Sequence, residues 1–198
     1  MKLRSVLFIA CAVALASFTQ SCTSSAKRYA AEISGIDSTL ASLDSAVAVF
    51  GTINEPEVSA ALAKMNDQLR ASQIRLDQMA EVDSATAYLF AEYTRARRLV
   101  KDFPKRMRTL PGEIERTRLQ LNGLKDALVT GASTDAIGNN ITPEYVKSQY
   151  TTEVQMAQGL FEELINTEAY SRQGMAMYKD LEPKVTQQFD LWTTSNKR

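Results

Sequence analysis

The chain has no histidine, and its two cysteines, Cys11 and Cys22, both fall in the first 22 residues. Without imidazole there is no Ser-His-Asp or Cys-His pair and no histidine metal ligand. Without a Cys-x-x-Cys spacing there is no thiolate zinc or redox site. Glycine-rich phosphate loops and nucleophile elbows are missing as well. Net charge is also lacking, since 23 basic side chains balance 23 acidic ones in 198 residues. That balance argues against a nucleic-acid partner, and 44% apolar residues argue against a disordered chain. The neighbouring carboxylates that do occur, Glu162-Glu163 and Glu113/Glu115, read as solvated helix faces, because adjacent helical positions point about 100° apart. These absences predict a non-enzymatic protein with no catalytic residue, no metal and no cofactor. No stretch alternates with period two, so strands are not expected.

The longest apolar run, Val6 to Phe18, is 13 residues. A transmembrane helix needs about 20. The run follows a basic start, Lys2 and Arg4, and ends at Thr19-Gln20-Ser21-Cys22. Basic start, short apolar run and small residues make a secretory signal. Cleavage after Ala14-Leu15-Ala16 would leave Cys22 as a lone exported thiol, which an oxidising compartment disfavours. The alternative uses Cys22. With Ser21 before it and Thr23-Ser24-Ser25 after it, the segment resembles a bacterial lipoprotein signal. Thr19 stands where the usual box has an aliphatic residue, and in this the segment is similar to the relaxed boxes of Bacteroidota lipoproteins. The resemblance implies that Cys22 becomes the first residue and carries acyl chains that bind a membrane. The residues after Cys22 lack the early acids of surface-directed lipoproteins, which by the same resemblance implies an outer-membrane anchor facing the periplasm. The expected organisation is a signal at 1–21, a lipidated tether at 22–26 and one helical bundle domain at 27–195. Loss of residues 1–21 leaves 21 basic and 23 acidic groups.

The rest of the chain reads as heptads. Tyr29, Ile33, Ile36, Leu40, Leu43, Val47 and Phe50 recur in steps of four and three, the spacing of a coiled-coil seam. Asp37 and Asp44 open two similar heptads. Val58, Leu62, Met65, Leu69, Ser72, Leu76 and Met79 continue the pattern, and Thr86, Tyr93, Ala96, Val100 and Phe103 resume it one step out of register. Such a slip fits one overwound helix over 57–103, with a break capped by Asp83 as the alternative. Pro104 and Pro111-Gly112 mark the next turn. Leu110, Ile114, Thr117, Leu121, Leu124 and Leu128 make a third seam. Residues 131–141 read as a loop, and Thr142-Pro143-Glu144 as a helix start. In the last helix Tyr150, Val154, Ala157, Phe161 and Leu164 keep step. Asn166 to Gly174 turns polar, and Pro183 predicts a kink.

The fold class is therefore all-α, an elongated antiparallel coiled-coil or helical bundle with helices at about 27–50, 57–103, 111–130 and 143–195. A compact bundle broken near Asp83 and Asn166 is the rival. Met65 and Met79 read as core fillers, while Met175 and Met177 could line an adaptable contact. Charge supplies the candidate site. Arg95, Arg97, Arg98, Lys101, Lys105, Arg106 and Arg108 crowd residues 95–108 against one acid, Asp102. Basic residues suit a helix C-terminus, but the density also fits a dock for an anionic lipid or an acidic envelope protein. The expected function is a lipid-anchored spacer, scaffold or adaptor of the cell envelope. The alternative is a carrier holding a lipid or other apolar ligand beside the small seam residues Ser72, Ala96 and Ala157.

Overall fold

The structure is a computed structural model that describes residues 25–195. The expected signal at 1–21 with Cys11, the acylation candidate Cys22 and the tail at 196–198 lie outside the described residues. The described residues are all-α. Their five helices are α1 (Ala30–Phe50), α2 (Glu55–Leu76), α3 (Ser84–Val100), α4 (Phe103–Thr130) and α5 (Pro143–Ser195). One isolated antiparallel bridge, Thr134 to Asn140, lies in the loop before α5.

The helix expected over 57–103 is two helices. The chain leaves α2 after Leu76 and re-enters at Ser84, with Asp83 as cap. The Asp83 carboxylate accepts the Thr86 amide at 2.9 Å and the Thr86 hydroxyl at 2.7 Å. Thr86 stands at the position of the Glu or Gln of a capping box, but its hydroxyl donates to the cap's carboxylate where that residue would accept the cap's amide. Folding back is favourable because both halves carry an apolar stripe. Val58, Leu62 and Met65 of α2 share one core with Phe90, Tyr93 and Val100 of α3. Gln68 accepts from the Tyr93 hydroxyl and Asn66 from Arg97, which sets the two helices antiparallel.

The turn expected at Pro104 and Pro111-Gly112 is helical. Only Lys101 and Asp102 separate α3 from α4. Pro104 is the second residue of α4, where its missing N–H has no intrahelical acceptor to lose. Pro111 lies inside α4 and Pro183 inside α5, and both helices continue past them. The polar stretch Asn166 to Gly174 is helical too, so α5 runs unbroken for 53 residues.

The described residues pack as two compact units. The first takes the described residues up to Ser45 together with Glu113–Phe161, and the second takes Ala46–Gly112 together with the described residues from Glu162 on. In the first unit Ile36, Leu121, Leu128, Val146 and Ala157 form the core, with Tyr29, Ile33 and Tyr150 packed against it. Asp37 pairs with Lys125 at 2.6 Å and Asp44 with Arg118 at 2.5 Å. The positions rise by a heptad on α1 and fall by a heptad on α4, so these segments are antiparallel. α1 is long and apolar enough to cross a membrane by length and composition, with a mean hydropathy of 1.2 in its most apolar window. Its two paired aspartates and its packed stripe instead tie it to α4. In the second unit α2 and α5 run parallel, since Lys64 meets Glu182 and Gln68 meets Thr186. α3 runs antiparallel to α5, with Phe90 stacked on Trp192 at 5.5 Å and Tyr93 facing Tyr178 at 6.4 Å.

Candidate functional site

The basic turn occupies the last turn of α3, the two-residue link and the first turn and a half of α4, all within the second unit. Phe103, Val100 and Ala96 are buried and fix which basic side chains face out. The seven candidates then separate. Arg97 donates through Nε to Asn66 of α2. Arg106 turns inward, donating to the Thr167 hydroxyl at 3.1 Å and lying 3.7 Å from Glu163 of α5. Arg95 has a long pairing of 3.8 Å with Glu92. Arg98, Lys101, Lys105 and Arg108 are exposed and have no ion-pair partner among the described residues.

A recess of about 270 Å³ opens beside them. Arg98, Asp102 and Arg106 line it from one side, and Thr167, Tyr170 and Ser171 from α5. Thr167 and Ser171 are buried and polar. The Thr167 hydroxyl is already engaged, donating to the Glu163 carbonyl at 2.6 Å. With Thr167 engaged, the polar groups that line the recess are the Arg98 and Arg106 guanidiniums, the Tyr170 and Ser171 hydroxyls and the Asp102 carboxylate. Asp102 directly precedes α4, and the Arg106 amide donates to its carbonyl, so one carboxylate stands at the positive end of that helix's dipole. Guanidinium groups in such an arrangement are chemically suited to an oxyanion such as a carboxylate or a phosphate group.

The α5 contribution was hidden in the sequence by its polarity. Leu160, Leu164, Thr167, Ser171 and Gly174 keep the four-three step, so the seam continues through the polar stretch with small residues. The step was the available signal, and residue type masked it. The same register buries Glu153 and leaves Val154 half-buried, so the seam lies one residue from the expected position there. One Glu153 oxygen, Oε2, is buried without a hydrogen-bond partner, and burial raises its pKa above the ordinary glutamate range.

Ser72, Ala96 and Ala157 are all buried. The Ser72 hydroxyl donates to the Leu69 carbonyl, and Ala96 lies beneath Gly174. The missing side chain of Gly174 lets α5 approach α3 there, over the Ala96 carbonyl oxygen. Met65 is fully buried, Met175 is buried and Met177 packs half-buried against the same core. Among the described residues no three His, Cys, Asp or Glu side chains cluster as metal ligands. No family model matches the chain, and neither the curated proteins nor the solved structures yield a match.

Proposed function

We propose that this is a non-enzymatic, lipid-anchored envelope adaptor. Acyl chains on Cys22 hold it at a membrane, in the outer membrane on the periplasmic side, and the α3–α4 turn docks an acidic partner protein. One observation carries the docking half of this reading. Arg98, Lys101, Lys105 and Arg108 are exposed with no ion pair among the described residues, beside a recess that Arg98 and Arg106 line together with Asp102. Unpaired surface charge of one sign steers association and gives register more than raw affinity. The carrier alternative has no support at Ala96, where α3 and α5 are in close approach, and rests on the recess of about 280 Å³ beside Ala157.

Two experiments test the proposal. Fatty-acid labelling in cells should mark the wild type and not Cys22→Ser; label on the serine variant would end the anchor reading. Crosslinking in intact cells should capture an acidic protein with the wild type and not with a variant carrying Gln at 98, 101, 105 and 108, with capture falling as salt rises. An unchanged capture profile would remove the basic turn from function. Binding of the wild type to anionic vesicles, lost in the same variant, would assign the turn to lipid instead.

A further inference from the structure

The described chain begins at Ser25, three residues after Cys22. The Ser25 hydroxyl donates to the Leu128 carbonyl at the end of α4, at 3.0 Å. Ser25 also lies against Gly131, where an added Cβ would meet the Ser25 Cβ at 3.1 Å. Three residues span at most about 11 Å. Wherever Cys22 is held, that end of the first unit is within about 11 Å of it. The same end carries the loop that joins α4 to α5.

That loop is built rather than slack. Gly131 (φ +71°) and Gly138 (φ +91°) supply its left-handed corners. Thr134 bridges Asn140, the Ile141 amide donates to Ser133 and the Asp135 amide donates to Asn139. The Asp135 carboxylate accepts four hydrogen bonds: from the amides of Ile137 and Asn139, the Asn139 side chain and the Tyr145 hydroxyl. Ile137 sits at the tip of this hairpin and is 86% exposed, the most exposed large apolar side chain among the described residues. Lys27 and Arg28, two and three residues after Ser25, are exposed and carry two positive charges.

We infer that the 131–142 loop is a second membrane contact, with Ile137 entering the headgroup–acyl boundary of the bilayer that holds acylated Cys22. The inference rests on the lipid-anchor reading above. A preordered loop loses little entropy on docking, and apolar burial with nearby basic residues is the usual chemistry of interfacial binding. The loop would give a single-point tether a fixed orientation.

The test uses the acylated full-length product, in which Cys11 has left with the signal and Cys22 is consumed by acylation. Ile137→Cys then carries one free thiol for an environment-sensitive fluorophore. Leu119→Cys is the control, being 64% exposed on α4 of the same unit and about 13 Å along the helix from Leu128. Both are reconstituted into phosphatidylethanolamine–phosphatidylglycerol vesicles with or without a spin-labelled lipid. The expected result is a blue shift and quenching at 137 and neither at 119. Vesicle-bound protein with the label at 137 as solvent-exposed as at 119 would overturn the loop contact and leave the anchor intact. Protein that fails to float with vesicles, and that labels at Cys22 as well, would overturn the anchor and the loop contact with it.

Discussion

Gly174 on α5 stands so close to Val100 on α3 that a Cβ built on it would lie 2.6 Å from Val100 Cγ1 and 3.2 Å from the Ala96 carbonyl oxygen. Val100 is fully buried and has nowhere to move. The glycine is therefore a close-approach residue that lets α3 and α5 meet behind the basic turn.

Gly174→Ala should destabilise the protein by about 1–3 kcal/mol, the usual penalty for overpacking. Gly159→Ala is the matched control, because nothing lies within 4 Å of its added Cβ. It should be neutral or stabilising by about 0.5–1 kcal/mol through helix propensity. Urea denaturation of both variants measures this. Equal midpoints would show that the α3–α5 approach is looser than described.

Glu153 should give the fold a pH dependence. Burial raises its pKa, so the folded state favours the neutral acid. Its stability is then full below the unfolded pKa of about 4.3 and is lost as pH rises through the folded value. Glu153→Gln removes the charge and keeps the shape. At pH 7 it should raise stability, because the buried site then no longer holds a desolvated charge. The advantage should shrink toward pH 4. A melting-temperature difference that stays flat over this range would contradict the assignment.

Asp135 titrates in the opposite direction. The Tyr145 hydroxyl, then the Asn139 and Ile137 donors, hold its carboxyl at about 2. The loop is thus supported at pH values above the ordinary aspartate range and loses that support as pH falls through about 2. The Tyr145 hydroxyl, donating to this carboxylate, is pushed up to about 12. Tyr145→Phe should move the Asp135 titration upward. Carboxyl-carbon NMR reads this directly, and an unmoved Asp135 would mean that the tyrosine contact is not formed in solution.

The basic residues should divide in stability experiments. Gln at 98, 101, 105 and 108 together should leave the melting temperature nearly unchanged, because exposed substitutions usually act within about 0.5 kcal/mol each. Arg106→Gln should cost about 1 kcal/mol, since it removes the bond to buried Thr167. Differential scanning calorimetry separates the two cases. A destabilised quadruple variant would show that those four side chains hold the fold together.

Much of the packing was legible as spacing. Ile36, Leu43, Val58, Leu62, Met65, Tyr93, Val100, Leu110, Leu121 and Leu128 were seam positions and all are buried. The start of α5 was legible as chemistry, and the Thr142 hydroxyl does accept the Tyr145 amide at 3.2 Å. The basic turn was visible as composition. The division of its residues was not, because what separates Arg106 from its neighbours is which face of α4 it occupies and what α5 places opposite.

Sequence alone determined the helical class, most of the heptad faces and the loop before α5, because each follows from local propensity and from residues within two turns of one another. Tertiary structure decided where the helices end and which seam meets which. The chain folds back at 77–83, and α4 runs through Pro111, because burial against distant helices outweighs a local preference of a few kcal/mol. It also buried Glu153 in place of Val154. A one-residue change in register turns a helix face by about 100°, and only the residues packed against α5 fix that choice.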